Sequence, residues 1–316
     1  MTTHILLLLV GFVLLVKGAD LLVGGASSLA KRLSMPDMTI GLTVVAFGTS
    51  APELAVNLAG SLSGQNDVVL GNILGSNLFN TLFILGAVAL IRPLTIRRDT
   101  VWREIPFALA AGVILAVLAT GSTGNRGGAM GLSRMEGMVL LGGFAGFVTY
   151  TFLIARVRTS NDPEVRSLTS AKTALFIVAG LLGLFMGGRL VVDHAVEIAH
   201  LLNWSEKTIA VTILATGTSL PELLTSAVAA ARRKSDIAVG NVLGSNIFNI
   251  LFVLGLSVTI RPLAFPPSYL LETGLYTAAS LLLFGAMFTG ERLKLDRWEA
   301  GLFLCAYLLY LLFGLR

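Results

Sequence analysis

The sequence predicts an all-α polytopic membrane protein, with ten transmembrane helices arranged as two inverted five-helix repeats. Three observations carry this reading. Hydrophobic residues fill 55% of the 316 positions and Asp, Glu, Lys and Arg only 13%, against roughly 25% charged residues in a soluble chain. Apolar runs of membrane-spanning length recur from one end of the chain to the other. Two long segments match at a fixed offset, and the loop charges around them are reversed between the copies.

Composition excludes several classes. A mean hydropathy of +0.83 and 34 glycines suit membrane helices, in which glycine is more frequent than in soluble ones. A disordered chain, a secreted enzyme and a disulfide scaffold are all excluded; the single Cys305 forms no internal disulfide. The net charge of +5 is accounted for by loop Lys and Arg that orient a membrane protein, so no nucleic-acid partner is expected.

Crossing about 30 Å of hydrocarbon takes about 20 residues. Ten runs qualify, near residues 5–30, 37–62, 68–91, 104–121, 136–156, 172–200, 206–231, 237–260, 269–289 and 298–315. The first has no Lys or Arg before Lys17 and lacks the basic region of a cleaved signal peptide, so it reads as a retained helix. The longest polar connection, 157–171, reads as a linker between residues 1–156 and 172–316. With the N-terminus outside, 16 of the 23 basic residues fall in one set of loops, including Lys31, Arg32, Arg92, Arg97, Arg232, Arg233, Lys234 and Lys294. Only Arg126, Arg134, Arg189, Lys207, Arg261 and Arg316 fall in the other set, with Lys17 inside the first span. The positive-inside rule then places both termini outside the cytoplasm of a multi-pass plasma (inner) membrane protein. Trp102, Trp204 and Trp298 stand at predicted span ends, as interfacial anchors do.

At an offset of 169 residues, segments 39–94 and 208–263 share 27 identities in 56 positions without a gap. GTSAPEL (48–54) lies over GTSLPEL (217–223), GNILGSNLFN (71–80) over GNVLGSNIFN (240–249), and IRPL over IRPL. A duplicated unit of five spans must enter the membrane from the opposite side the second time. The loops agree: Lys31 and Arg32 correspond to His200 and Leu201, while Ser63, Gly64 and Gln65 correspond to Arg232, Arg233 and Lys234. Inverted repeats with interrupted helices at their interface are an architecture of secondary transporters.

Glu53 and Glu222 lie deep in apolar spans. An acid there costs several kcal/mol unless it meets a cavity, a partner or an ion. Pro52 and Pro221 precede them and remove the N–H that would bond the carbonyls of Gly48 and Gly217, so each helix breaks beside a carboxylate. Ala46, Ser50, Glu53 and Asn57 share a helical face, with Thr49 adjacent. In the next span Asn72, Ser76 and Asn80 form a stripe that Asn241, Ser245 and Asn249 repeat. Carboxylates, hydroxyls, amides and carbonyls make an all-oxygen set suited to hard cations such as Ca²⁺ and Na⁺. No His or Cys lies in either motif, and no cofactor is expected. Two glutamates give a formal charge of −2, balanced by one Ca²⁺ or two Na⁺.

Other features have structural readings. Gly71 with Gly75, and Gly240 with Gly244, are small-xxx-small patterns that serve helix packing. Asp67 and Asp236 are expected as helix N-caps. Lys17 with Asp20, and Arg189 with Asp193, are expected as local ion pairs. Glu272 and Cys305 are positional.

At these motifs the chain resembles the sodium/calcium exchanger family, within the wider cation/calcium antiporter group and closest to its short prokaryotic members. The resemblance covers the whole length, through ten spans, two inverted halves, and the GTSxPE and GSNxFN motifs that occur in both the alpha-1 (39–94) and the alpha-2 (208–263) repeat. It implies that Glu53 and Glu222, with the backbone carbonyls of Thr49 and Thr218, surround Ca²⁺. It implies Na⁺ sites from the Ala46 carbonyl, Ser50, Ser245 and Glu222 on one side, and from the Ala215 carbonyl, Ser219, Ser76 and Glu53 on the other. Asn80 and Asn249 would lie between them. Family members alternate access by sliding the first and sixth spans over an eight-helix core.

The resulting expectation is a secondary antiporter exchanging Na⁺ for Ca²⁺ across the lipid bilayer, electrogenic and with no catalytic site. The rival is a Ca²⁺/H⁺ antiporter, whose members typically show Gly-Asn-x-x-Glu where this chain has Gly-Thr-Ser-x-Pro-Glu. Family members that require K⁺ tend to carry Asp at the position of Asn249. Asn249 and Asn80 contribute no full charge, so K⁺ independence is expected. A channel would draw a symmetric filter from several subunits, and an enzyme would need a nucleophile–base pair. Here one chain supplies both halves of the site and is expected to act as a monomer.

Overall fold

The computed structural model describes residues 1–121, 130–157, 168–204 and 215–314. The described chain is almost entirely helical: α1 (Thr2–Arg32), α2 (Asp37–Thr49), α3 (Ala51–Ser63), α4 (Asn66–Ile91), α5 (Arg98–Gly121), α6 (Arg134–Val157), α7 (Ser170–Leu201), α8 (Leu220–Ala231), α9 (Ser235–Ile260), α10 (Pro267–Ala286) and α11 (Arg297–Gly314). Four two-residue strands punctuate the loops, β1 (Leu94–Thr95), β2 (Gly131–Leu132), β3 (Leu263–Ala264) and β4 (Lys294–Leu295). Among the described residues seven helices are long and apolar enough to cross a membrane, and α2 with α3, bent by 49°, passes the same test as a pair, as a broken span or a re-entrant loop. Of the other two expected spans, 206–231 starts outside the described residues and ends in the shorter apolar α8. The expected span at 298–315 is the 18-residue α11. Most of the 157–171 linker, and residues 208–214 of the second motif, lie outside the described residues.

Burial sorts the helices into centre and periphery. α4 and α9 are mostly buried and supply fully buried side chains such as Leu70, Ile73, Leu74, Val242 and Ile247. α1 and α7 lie outside them, packed backbone to backbone. A Cβ on Gly18 would stand 2.7 Å from the Leu184 nitrogen, and one on Gly180 only 2.6 Å from the Leu22 nitrogen. Glycine is required at such a crossing because any side chain would force the two backbones apart. The outward faces carry Leu6, Leu9 and Val13 on α1 and Leu175, Val178 and Leu182 on α7, all exposed. Contiguous apolar surface of this kind is expected where the solvent is lipid.

The loops gather into two groups. β1 pairs antiparallel with β4 (Leu94↔Leu295, Thr95↔Lys294), and near them Lys234 meets Asp37 at 2.9 Å and Arg97 meets Asp236 at 3.8 Å. In the other group β2 pairs with β3 (Gly131↔Ala264, Leu132↔Leu263), and the Tyr269 hydroxyl donates to Asp67 at 3.1 Å. These groups coincide with the two faces that charge counting separates.

Local geometry also keeps the 169-residue offset. Left-handed backbone occurs at Ser34 (φ 52°) and Asn203 (φ 59°), and at Gly64 (φ 74°) and Arg233 (φ 62°). Each pair differs by 169 positions. α6 and α11 also open alike, though 163 rather than 169 positions apart: Glu136 accepts from the Ser133 amide at 2.7 Å, and Glu299 from the Asp296 amide at 2.8 Å, the reach-back of a capping box.

Two local expectations are corrected. Asp67 and Asp236 are not N-caps; they are second residues of α4 and α9, after Gln65 and Lys234. In that first turn the helix dipole favours them without a capping bond, and their side chains turn to Tyr269 and Arg97 instead. Asp20 pairs with Arg232 rather than Lys17, because Arg232 reaches it from the end of α8. The Arg189–Asp193 pair stands at 3.6 Å as expected.

Candidate ion-binding site

The site begins with two broken helices. Within α2, Gly41–Val45 widens into a π-helical turn, a feature common at functional sites. The chain leaves the helix at Ser50 (φ −83°, ψ 11°) and restarts at Ala51. Pro52 has no N–H for the ladder; the Ser50 amide bonds Ala46 O at 3.0 Å, and Leu54 resumes with Ser50 O at 3.1 Å. Glu53 therefore sits in the first turn of α3, where the helix N-terminus stabilises negative charge. The second half repeats this. Ser219 (φ −90°, ψ 6°) precedes α8, Pro221 lies in its first turn, and Glu222 follows.

Both carboxylates are buried, Glu53 at 1% and Glu222 at 0% exposure. Their hydrogen bonds cross between the halves. Ser50 Oγ donates to Glu222 Oε1 at 2.8 Å, and Ser219 Oγ donates to Glu53 Oε1 at 3.1 Å. Thr49 Oγ1 donates to Asn241 Oδ1 at 3.0 Å, and Thr218 Oγ1 to Asn72 Oδ1 at 3.5 Å. Asn57 and Asn241 then brace the turns, donating to the carbonyls of Glu53 at 2.7 Å and Glu222 at 3.2 Å. The halves differ at one serine. Ser245 Oγ lies 3.3 Å from Glu222 Oε1 and 3.5 Å from Ala46 O, whereas Ser76 donates to Asn72 Oδ1 at 3.1 Å.

Among the buried side-chain atoms without a hydrogen-bond partner are the oxygens Glu53 Oε2, Glu222 Oε2, Asn57 Oδ1, Asn80 Oδ1 and Asn249 Oδ1, and the nitrogen Asn72 Nδ2. Buried lone pairs without donors are costly, and two of these belong to carboxylates. Carboxylate and amide oxygens of this kind are the ligands that hard cations take. Among the described residues no group of three or more His, Cys, Asp or Glu is placed to hold a metal ion; the polar atoms gathered here are carboxylate, hydroxyl, amide and carbonyl groups.

Of the residues expected at the site, Glu53, Glu222, Ser50, Ser219, Ser245 and the Ala46 carbonyl meet in this network. Asn80 and Asn249 add their unpartnered oxygens. Thr49 and Thr218 make their hydrogen bonds through their hydroxyls. Ser76 turns to Asn72 rather than Glu53, and the Ala215 side chain lies outside the described set. Asn77 and Asn246 were not expected, although both are buried and join Asn80 and Asn249 across the halves. Their signal was the duplication itself, since both lie inside GSNxFN one position beyond the stripe at four-residue steps.

The family model for the sodium/calcium exchanger protein matches residues 3–153 and 172–316. The chain belongs to the sodium/calcium exchanger family. Among exchanger relatives, the chain is 33% identical over 347 residues to the sodium/calcium exchanger MaX1 of Methanosarcina acetivorans, covering 98% of each chain. It is 40% identical over 269 residues to the inner membrane protein YrbG of Escherichia coli K12, covering 81% of this chain and 79% of that one. The solved sodium/calcium exchanger of Methanococcus jannaschii superposes with a TM-score of 0.83 at 29% identity, covering 98% of this chain and 97% of that one.

Proposed function

We propose that the chain exchanges Na⁺ for Ca²⁺ across a bacterial-type inner membrane by alternating access, with its ten spans forming two inverted repeats and both termini outside the cytoplasm. The observation that supports this reading is that Glu53 and Glu222 each keep one buried carboxylate oxygen without a hydrogen-bond partner, in a chain of the exchanger family. Their charge of −2 is balanced by one Ca²⁺ or by two Na⁺, so the two loads exclude each other. Mutual exclusion at one buried site is the electrostatic basis of antiport. A third Na⁺ per cycle, which the family resemblance implies, leaves net charge to move with each turnover. Asn249 and Asn80 add no carboxylate, which favours a cycle without K⁺.

The test is isotopic Ca²⁺ uptake into proteoliposomes. Na⁺-loaded vesicles diluted into Na⁺-free buffer should accumulate Ca²⁺, and an imposed proton gradient without Na⁺ should not substitute. Uptake driven by the proton gradient and indifferent to Na⁺ would move the protein to Ca²⁺/H⁺ exchange.

A further inference from the structure

Asn77 and Asn246 are buried and hydrogen-bonded at both ends of their amides. Asn77 Nδ2 donates to the backbone carbonyl of Asn246 at 3.2 Å. A carbonyl only accepts, so this contact fixes which end of Asn77 is nitrogen and which is oxygen. The oxygen accepts from Asn249 Nδ2 at 3.1 Å. Asn249 is thereby oriented too, with its own Oδ1 at the far end and without a partner. The other half runs the same relay from a different anchor. Asn246 Nδ2 meets Thr81 Oγ1 at 2.8 Å, Asn246 Oδ1 accepts from Asn80 Nδ2 at 3.1 Å, and Asn80 Oδ1 is left unpartnered.

We propose that Asn77 and Asn246 are positioning residues that turn the oxygens of Asn249 and Asn80, and not their nitrogens, toward the transported cation. This rests on the reading of the Glu53–Glu222 site as a cation site. An amide has an attractive end and a repulsive end for a cation, and the two are nearly identical in shape. Something must decide which end faces the ion, and the relay does so without adding charge to the site. The two relays are unequal. The Asn249 relay ends on a backbone carbonyl, whereas the Asn80 relay ends on a hydroxyl that donates or accepts. Thr81 has Ile250 as its counterpart, so that anchor is not duplicated.

The test uses a carboxylate, which has an oxygen at each end and needs no orienting partner. Ca²⁺ is titrated calorimetrically into the purified full chain as wild type, Asn77→Leu, Asn249→Asp and the double variant. Asn77→Leu should weaken Ca²⁺ binding about tenfold or more, the usual effect of losing a partner behind a metal ligand. The double variant should bind as Asn249→Asp does, a rescue that a merely structural role of Asn77 would not give. Wild-type affinity in Asn77→Leu, or a double variant no tighter than Asn77→Leu while Asn249→Asp binds, overturns the relay alone. Absence of Ca²⁺ binding by the wild type overturns the functional reading and the relay with it. If Asn77→Leu does not fold, Thr81→Val with Asn80→Asp as its rescue puts the same question to the other half. Equal affinity of Thr81→Val and wild type then counts against the proposal.

Discussion

Glu53 and Glu222 each spend one carboxylate oxygen on a serine from the opposite half and leave the other without a donor. Removing either charge while keeping the shape is therefore the sharpest substitution at the residue scale. Glu53→Gln and Glu222→Gln should each reduce Na⁺-driven Ca²⁺ uptake to background while the protein still purifies as a folded species. Full activity in both single variants would remove these residues from the site. The neutral amide at Asn249 sets a second expectation. Uptake should be unchanged when external K⁺ is replaced by choline at fixed membrane potential, and Asn249→Asp should alter monovalent-ion dependence more than membrane insertion. Loss of wild-type flux without K⁺ would contradict this. Both glutamates were legible in the sequence because a buried acid behind proline, present twice, has few structural explanations. The Asn77–Asn249 and Asn80–Asn246 contacts were not, because helical spacing speaks only of neighbours within one helix and these join the two halves. Nor does sequence foretell that Ser245 meets Glu222 while Ser76 turns to Asn72, since the two serines sit in identical motifs.

At the scale of the elements, the broken helix α2–α3 is held from behind by α9. A Cβ on Gly244 would stand 2.5 Å from Leu42 O and 2.7 Å from Ala46 Cβ, and one on Gly240 3.0 Å from Met38 O. The small-xxx-small reading of Gly240 and Gly244 thus becomes a contact with the π-helical turn and with the residue whose carbonyl faces Ser245. Gly244→Ala should destabilise the protein by about 1–3 kcal/mol, the cost of overpacking a filled contact, and should lower Ca²⁺ uptake by displacing Ala46. Thermal unfolding in detergent and the uptake assay report the two effects; an unchanged midpoint with unchanged flux would show that the contact is slack. Among the described residues a Cβ on Gly71 would meet only the Tyr269 hydroxyl at 3.8 Å, and one on Gly75 nothing within 4 Å. The break after Ser50 was readable from Pro52, whereas the π-helical turn was not, because nothing in its composition differs from an ordinary apolar helix.

Across the whole molecule, the duplicated halves meet at α4 and α9, and the two carboxylates face each other through exchanged serines. The expected span count came from hydropathy alone, and the seven long apolar helices with the bent α2–α3 pair make up most of it. Exchange of three Na⁺ for one Ca²⁺ at a site of charge −2 would move charge, so under the proposed cycle clamping the membrane potential with an ionophore should change the exchange rate; a rate indifferent to potential would indicate a neutral two-for-one cycle. Under the proposed exchange, Ca²⁺ and Na⁺ occupy one shared site, which Ca²⁺ titration of the purified protein by calorimetry at graded Na⁺ concentrations tests. Ca²⁺ affinity should fall steadily as Na⁺ rises while the amount bound at saturation stays constant, with choline having no such effect. Ca²⁺ affinity unaffected by Na⁺ would contradict it.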